Sequence, residues 1–140
     1  MSRYLCLDFG TKRIGVAASD ESLTLATPMP FIEAFPFKPF ISQLKKIILE
    51  KEVTLIVIGI PRNMDGSYGP AAAKAQEFVL RLKEILVVPI VTVDERLSTV
   101  EASRRLRESG KKAKDQKAII DSNAARIMLQ SYLDAKSNFI

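Results

Sequence analysis

The order of apolar segments in this 140-residue chain predicts an α/β domain. The expected core is one mixed five-stranded sheet with helices on both faces. Three observations carry that expectation. Two short apolar segments, Tyr4–Phe9 and Ile14–Ser19, flank Gly10-Thr11-Lys12-Arg13, the pattern of an antiparallel hairpin. Val53–Ile60 and Val88–Val93 are nearly continuous and β-branched, as parallel strands covered on both faces are. The segments that follow these strands change to a helical period.

Leu23–Ile32 reads as a third strand, interrupted by proline and therefore expected at a sheet edge. Phe37–Lys51 has apolar residues at 37, 40, 41, 44, 47 and 48, which is a helical spacing. Pro61–Gly69 is a turn-rich loop, and Pro70–Leu86 a helix opened by proline. Ser98 and Glu101 form a capping box for a helix through Glu108, stopped by Gly110. Asp115 is expected to cap a last helix over Gln116–Leu133. The order is βββαβαβαα, and residues 1–140 read as a single domain without repeat or linker.

Composition narrows the function. Hydrophobic residues make up 47% of the chain, which excludes disorder. No apolar run approaches the roughly 20 residues that cross a bilayer, and the N-terminus lacks a signal peptide. A cytoplasmic protein with no membrane partner is the expectation. The single cysteine, Cys6, excludes an internal disulfide framework and sits in an apolar strand as a buried thiol. Histidine is absent, which removes the commonest general base and transition-metal ligand. Hydrolysis here must rely on carboxylates, lysine, tyrosine or a bound metal.

The net charge of +5 is local. Arg104–Lys117 holds seven basic and two acidic residues, and the rest of the chain balances at fourteen of each sign. Arg104, Arg105, Lys111, Lys112 and Lys114 are therefore candidate phosphate contacts, since a concentrated patch attracts a polyanion. A solvated helix end and loop is the simpler account of the same run.

Three carboxylates stand out by context. Asp8 lies inside an apolar strand, where a charge is costly unless paired with a cation. Alternation places it on the face of Tyr4 and Cys6, opposite Leu5, Leu7 and Phe9. Pairing with Lys12 or Arg13 of the same hairpin would be a purely structural role. Glu95 follows the strand Ile90–Val93, at the end where α/β sheets place their sites. Adjacent carboxylates point to opposite sides of a strand, so only one of Asp94 and Glu95 should face a common centre. Asp121 shares a helical face with Ala124, Ala125, Met128 and Tyr132, and the two alanines let that helix approach the sheet closely. Acids from a strand, a strand end and a helix suit a hard ion such as Mg²⁺ or Mn²⁺. Such an ion can activate water for phosphodiester hydrolysis without histidine. Lys12, Arg13, Arg62 and Asn63 lie in loops that would meet a nucleic-acid backbone.

Together the blocks LDFGTKRIGVA, GIPRNMDGS, VDERLSTVEA and IDSNAARIMLQSYL resemble the YqgF family, also called RuvX-like proteins. The resemblance runs from Tyr4 to about Leu133. It implies an RNase H-like fold and a nuclease, described for the family both as a Holliday junction resolvase and as maturing the 5′ end of pre-16S ribosomal RNA. It implies Asp8, Glu95 and Asp121 as catalytic metal ligands, with Arg62, Arg96, Lys12 and Arg13 on the substrate side. The segment around Phe35–Pro39 departs from the family in being rich in aromatics and proline. A fourth acid is common in RNase H-like nucleases, and Asp65 and Asp94 are the candidates here.

The leading expectation is a metal-dependent endonuclease acting on structured RNA, as a monomer or weak homodimer. A second keeps the chemistry and changes the substrate to four-way DNA junctions. A third, from the Asp-x-Gly-Thr turn shared with actin-like and sugar-kinase ATPases, fails because one 140-residue domain cannot close over a nucleotide. A fourth, a non-catalytic nucleic-acid binder, leaves the three acids unexplained.

Overall fold

The computed structural model describes residues 2–10, 12–61, 65, 67–94 and the backbone of 113–137, with side chains in that last stretch from 123 to 136. Five strands and three helices are described: β1 (Arg3–Asp8), β2 (Arg13–Ser19), β3 (Ala26–Glu33), α1 (Phe37–Glu50), β4 (Val53–Ile60), α2 (Pro70–Ile85), β5 (Ile90–Asp94) and α3 (Ala113–Ser137). They form one sheet in the order β3-β2-β1-β4-β5. The first three strands are antiparallel, while β4 and β5 run parallel to β1. This is the mixed sheet that the hairpin start and the β-branched strands predict.

The alternation along β1 divides the interior into two layers. Leu5 and Leu7 pack with Ile56, Ile58, Phe40, Leu44, Phe78 and Leu82, beneath α1 and α2. Cys6 packs with Ala17, Val57, Ala125, Met128 and Leu129, beneath α3. Because β1 and β4 are covered on both faces, their residues are apolar at nearly every position. No helix among the described residues is long and apolar enough to cross a membrane.

Local chemistry sets the boundaries. β3 begins at Ala26, three residues later than the apolar pattern predicts, because Asp20 organises the preceding segment as a turn. Its carboxylate accepts hydrogen bonds from Ser22 Oγ (2.6 Å), Thr24 N (2.9 Å), Thr24 Oγ1 (3.0 Å) and Leu25 N (3.1 Å). Leu23 takes the left-handed conformation there (φ 59°). β3 carries Pro28 and Pro30 and lies at the sheet edge, where a missing N–H is tolerated. β5 begins at Ile90, after Pro89, whose carbonyl accepts from Ile56 N at 3.0 Å. α2 opens with Pro70 in its first turn, as expected.

Two expectations about the C-terminal half change or fall outside the description. α3 already contains Asp115, so that residue lies within the helix and does not cap it. A helix continues through Asp115 because Ala113 and Lys114 before it are good helix formers. The helix expected over Ser98–Glu108 lies outside the described residues.

Candidate functional site

Asp8 ends β1, half-buried, on the same sheet face as Tyr4 and Cys6. Its register partners are Gly15 in β2 and Gly59 in β4, and Gly59 is in turn paired with Val93 in β5. Directly paired residues project to the same side of a sheet. Asp8 is therefore flanked on its own face by two positions that carry no side chain. Glycine inside a strand weakens the strand, and commonly marks a place where a ligand or another chain segment comes close. The β2–β3 pairing also shifts register between Ile14 and Val16, opposite Gly15. Bulges of that kind recur beside active sites because they re-aim neighbouring side chains.

The turn after Asp8 is tight. A Cβ on Gly10 would collide with the Arg13 carbonyl oxygen, so only glycine fits. Arg13 then opens β2 on the face of Gly15, and its guanidinium lies 5.0 Å from the centre of the Phe31 ring. Lys12 is exposed in the same turn. These two cations therefore border the strand end that carries Asp8.

α3 crosses this face antiparallel to β1. Tyr132 packs its ring 6.1 Å from that of Tyr4 at the start of the strand. Lys136 Nζ donates to the Tyr4 hydroxyl at 3.2 Å, which holds the ammonium above its ordinary pKa. Ala124 and Ala125 are buried, so the helix can lie close to the sheet. Gln130 fixes its height: Oε1 accepts from Ala26 N (2.9 Å) and Nε2 donates to the Thr24 carbonyl (2.8 Å). From Tyr132 back to position 121 the helix covers about 16 Å at 1.5 Å per residue. From Tyr4 to Asp8 the strand covers about 13 Å. The helix therefore runs from Tyr4 along the sheet face on which Asp8 lies.

The other expected residues divide three ways. Asp94 ends β5 paired with Ile60, on the α1–α2 side. It lines a cleft of about 410 Å³ with Tyr68, Gln76 and Thr92, on the face opposite Asp8. Asp65 is exposed and forms a turn, accepting from Ser67 N (2.9 Å) and Ser67 Oγ (2.6 Å) through one oxygen. Glu95, Arg62, Asn63, Arg96, Arg104, Arg105, Lys111 and Lys112 lie outside the described residues, as do the side chains of Lys114 and Asp121. Among the described residues no three acids or other metal-ligating groups come together. Asp8 is a hard oxygen donor of the kind a divalent ion takes, and its paired positions Gly15 and Gly59 add no side chain beside it. Apolar patterning singled out Asp8 but missed Gly15, Gly59 and Gln130. Isolated glycines within IGVAAS and VTLIVIGI were the available signal.

The chain matches the family model described as RuvX, Holliday junction resolvase, over residues 2–135. A protein of Thermoanaerobacter pseudethanolicus named "Putative pre-16S rRNA nuclease" is 45% identical over 138 residues, covering 97% of this chain and 99% of its own. A Crocosphaera subtropica protein of the same name is 43% identical over 132 residues, covering 94% of this chain and 92% of its own. Among solved structures, Thermus thermophilus RuvC in complex with a Holliday junction superposes with a TM-score of 0.56 at 13% identity. That likeness covers 98% of this chain and 96% of the other, and it identifies the fold as RNase H-like.

Proposed function

The chain belongs to the RuvX family of nucleases, and from that premise we propose that it cleaves the precursor of small-subunit ribosomal RNA with a divalent ion held by Asp8, Glu95 and Asp121. The observation that carries this reading is the position of Asp8, at a strand end, between Gly15 and Gly59, on the sheet face that α3 covers. Val91 and Val93 pack on the α3 side of β5, and Asp94 lines the opposite face. That alternation supports Glu95, not Asp94, as the acid from this strand.

Mg²⁺ or Mn²⁺ held by Asp8, Glu95 and Asp121 would supply an activated water and stabilise the charge that develops on the phosphodiester oxygens. The protein's own part is to hold three acids on fixed elements and to hold the substrate. Lys12 and Arg13 border Asp8 and suit contacts to the phosphates next to the cleaved bond. Arg62, Asn63 and Arg96, with the basic residues Arg104, Arg105, Lys111, Lys112 and Lys114, would extend that grip along the backbone. Contacts of this kind position a strand without reading its sequence.

RNA is favoured because the relatives at 43–45% identity carry the ribosomal RNA name. The family description supports a second reading, four-way DNA junctions. Symmetric junction cleavage requires a two-fold dimer with one site per subunit. The deciding experiment assays wild type and Asp8→Asn on a pre-16S fragment and on a four-way junction, with Mg²⁺ or Mn²⁺. Wild type is expected to cut the RNA and Asp8→Asn to cut neither, while the two proteins melt at the same temperature in EDTA. Undiminished cleavage by Asp8→Asn would overturn the site, and preferential cutting of the junction by a dimer would replace the substrate.

A further inference from the structure

On the face opposite α3, at the same end of the sheet, a cleft of about 260 Å³ is lined by Phe9, Phe35, Phe37, Phe78, Lys74 and Arg81. Phe9 and Phe78 of its lining are tilted rings 4.8 Å apart, and Phe78 packs in turn on buried Phe40 at 5.5 Å. Arg81 lies over Phe37, its guanidinium carbon 3.8 Å from the ring centre. Phe35, by contrast, keeps 67% of its surface in water. A phenylalanine left this exposed beside a built aromatic cleft contributes little to the fold as it stands.

We propose that this cleft seats one unpaired nucleobase of the substrate strand, stacked on Phe35, with its phosphate held by Lys74 and Arg81. Three observations choose this occupant. A base offers a flat π-face to a ring that has solvent to exchange, and such stacking tolerates any sequence. Lys74 and Arg81 lie two turns apart on one face of α2 and outnumber the single acid of the cleft, Glu77, so an anionic aromatic is matched better than an apolar peptide. Phe9 directly follows Asp8 in the chain, so the cleft and the carboxylate lie at one end of β1 on opposite faces of the sheet. A single strand passing over that end would carry both a base in the cleft and a phosphate near Asp8. A paired base cannot enter, so the cleft selects a site where the strand is open. The choice of nucleic acid as occupant rests on the nuclease reading above; the cleft does not depend on Asp8 chemistry.

The test is binding without catalysis. In EDTA, fluorescence anisotropy compares wild type, Phe35→Ala and Phe35→Tyr on a labelled single-stranded RNA 12-mer, the same sequence as DNA, and a blunt duplex. Phe35→Ala is expected to weaken both single strands by about tenfold and to leave the duplex unchanged. Phe35→Tyr, which keeps the ring, is expected to restore affinity. Lys74→Gln should weaken the same complexes and flatten their log–log salt dependence by about 0.7. Equal loss on duplex and single strand, no loss at all, or an alanine effect that tyrosine does not restore would each overturn the cleft. Cleavage by Asp8→Asn in Mg²⁺ is a separate measurement, so a failed active-site reading and a failed cleft are distinguishable.

Discussion

Asp8 and Gly59 stand in register across the β1–β4 pairing, on the sheet face that α3 covers. Gly59 keeps that side of the carboxylate bare near the end of a buried strand, where valine or isoleucine would pack better. The expected outcome of Gly59→Val is therefore a folded protein with a crowded site. Displacing a reacting group by about 1 Å can cost a hundredfold in rate, so cleavage should fall by about that factor. Gly59→Ala should lie between. A valine variant that melts cooperatively and cleaves at the wild-type rate would show that the bare position is not needed.

Gln130 ties α3 to the start of β3 through Ala26 N and the Thr24 carbonyl, and donates also to Asp134 Oδ1 at 3.0 Å. Gln130→Leu keeps the approximate shape and leaves the part-buried Ala26 N–H without this acceptor. Losing such a partner costs about 1–3 kcal/mol. The urea midpoint should shift accordingly with an unchanged slope. Because the bond sets the height of the helix that carries position 121, cleavage of the pre-16S fragment should drop even at temperatures where the variant is fully folded. A loss of stability with full activity would uncouple the helix from the site.

The sheet was legible because its signals are local. The period of two in β1 and the β-branched segments of β4 and β5 are dictated by burial on one or both faces, and they appear directly in the residue order. Asp8 was legible for the same reason, as a charge among apolar neighbours. Gly15, Gly59 and Gln130 were not, since their meaning depends on pairing partners far along the chain. The boundary at Leu23 was missed because Asp20 competes for backbone N–H groups that an apolar pattern assigns to a strand.

Asp20 also gives a pH test. The hydroxyl of Ser22, first, and the backbone N–H groups of Thr24 and Leu25 all donate to its charged form and hold its pKa well below the ordinary carboxylate value. A group depressed in the folded state stabilises at pH above its unfolded pKa of about 4, and loses that contribution as pH falls further. Wild type should exceed Asp20→Asn in stability by a constant margin from neutral pH to about 5. Below about pH 4 the margin should shrink as the unfolded carboxylate takes up its proton. Urea midpoints measured across that range check the sign. A margin that widens on acidification would contradict it.

Metal binding at Asp8 can be separated from cleavage by its effect on melting. An ion that binds only the folded protein stabilises it by an amount set by its concentration over Kd, about 2.7 kcal/mol at a hundredfold excess. Mn²⁺ should therefore raise the melting temperature of wild type progressively. If the proposed ligand set holds, Asp8→Asn exchanges an anionic ligand for a neutral one, so its response should be lost or shifted to far higher concentration. Mg²⁺ should act in the same direction. Equal stabilisation of both proteins by Mn²⁺ would mean that the ion binds elsewhere, and would remove Asp8 from the ligand set without bearing on the fold.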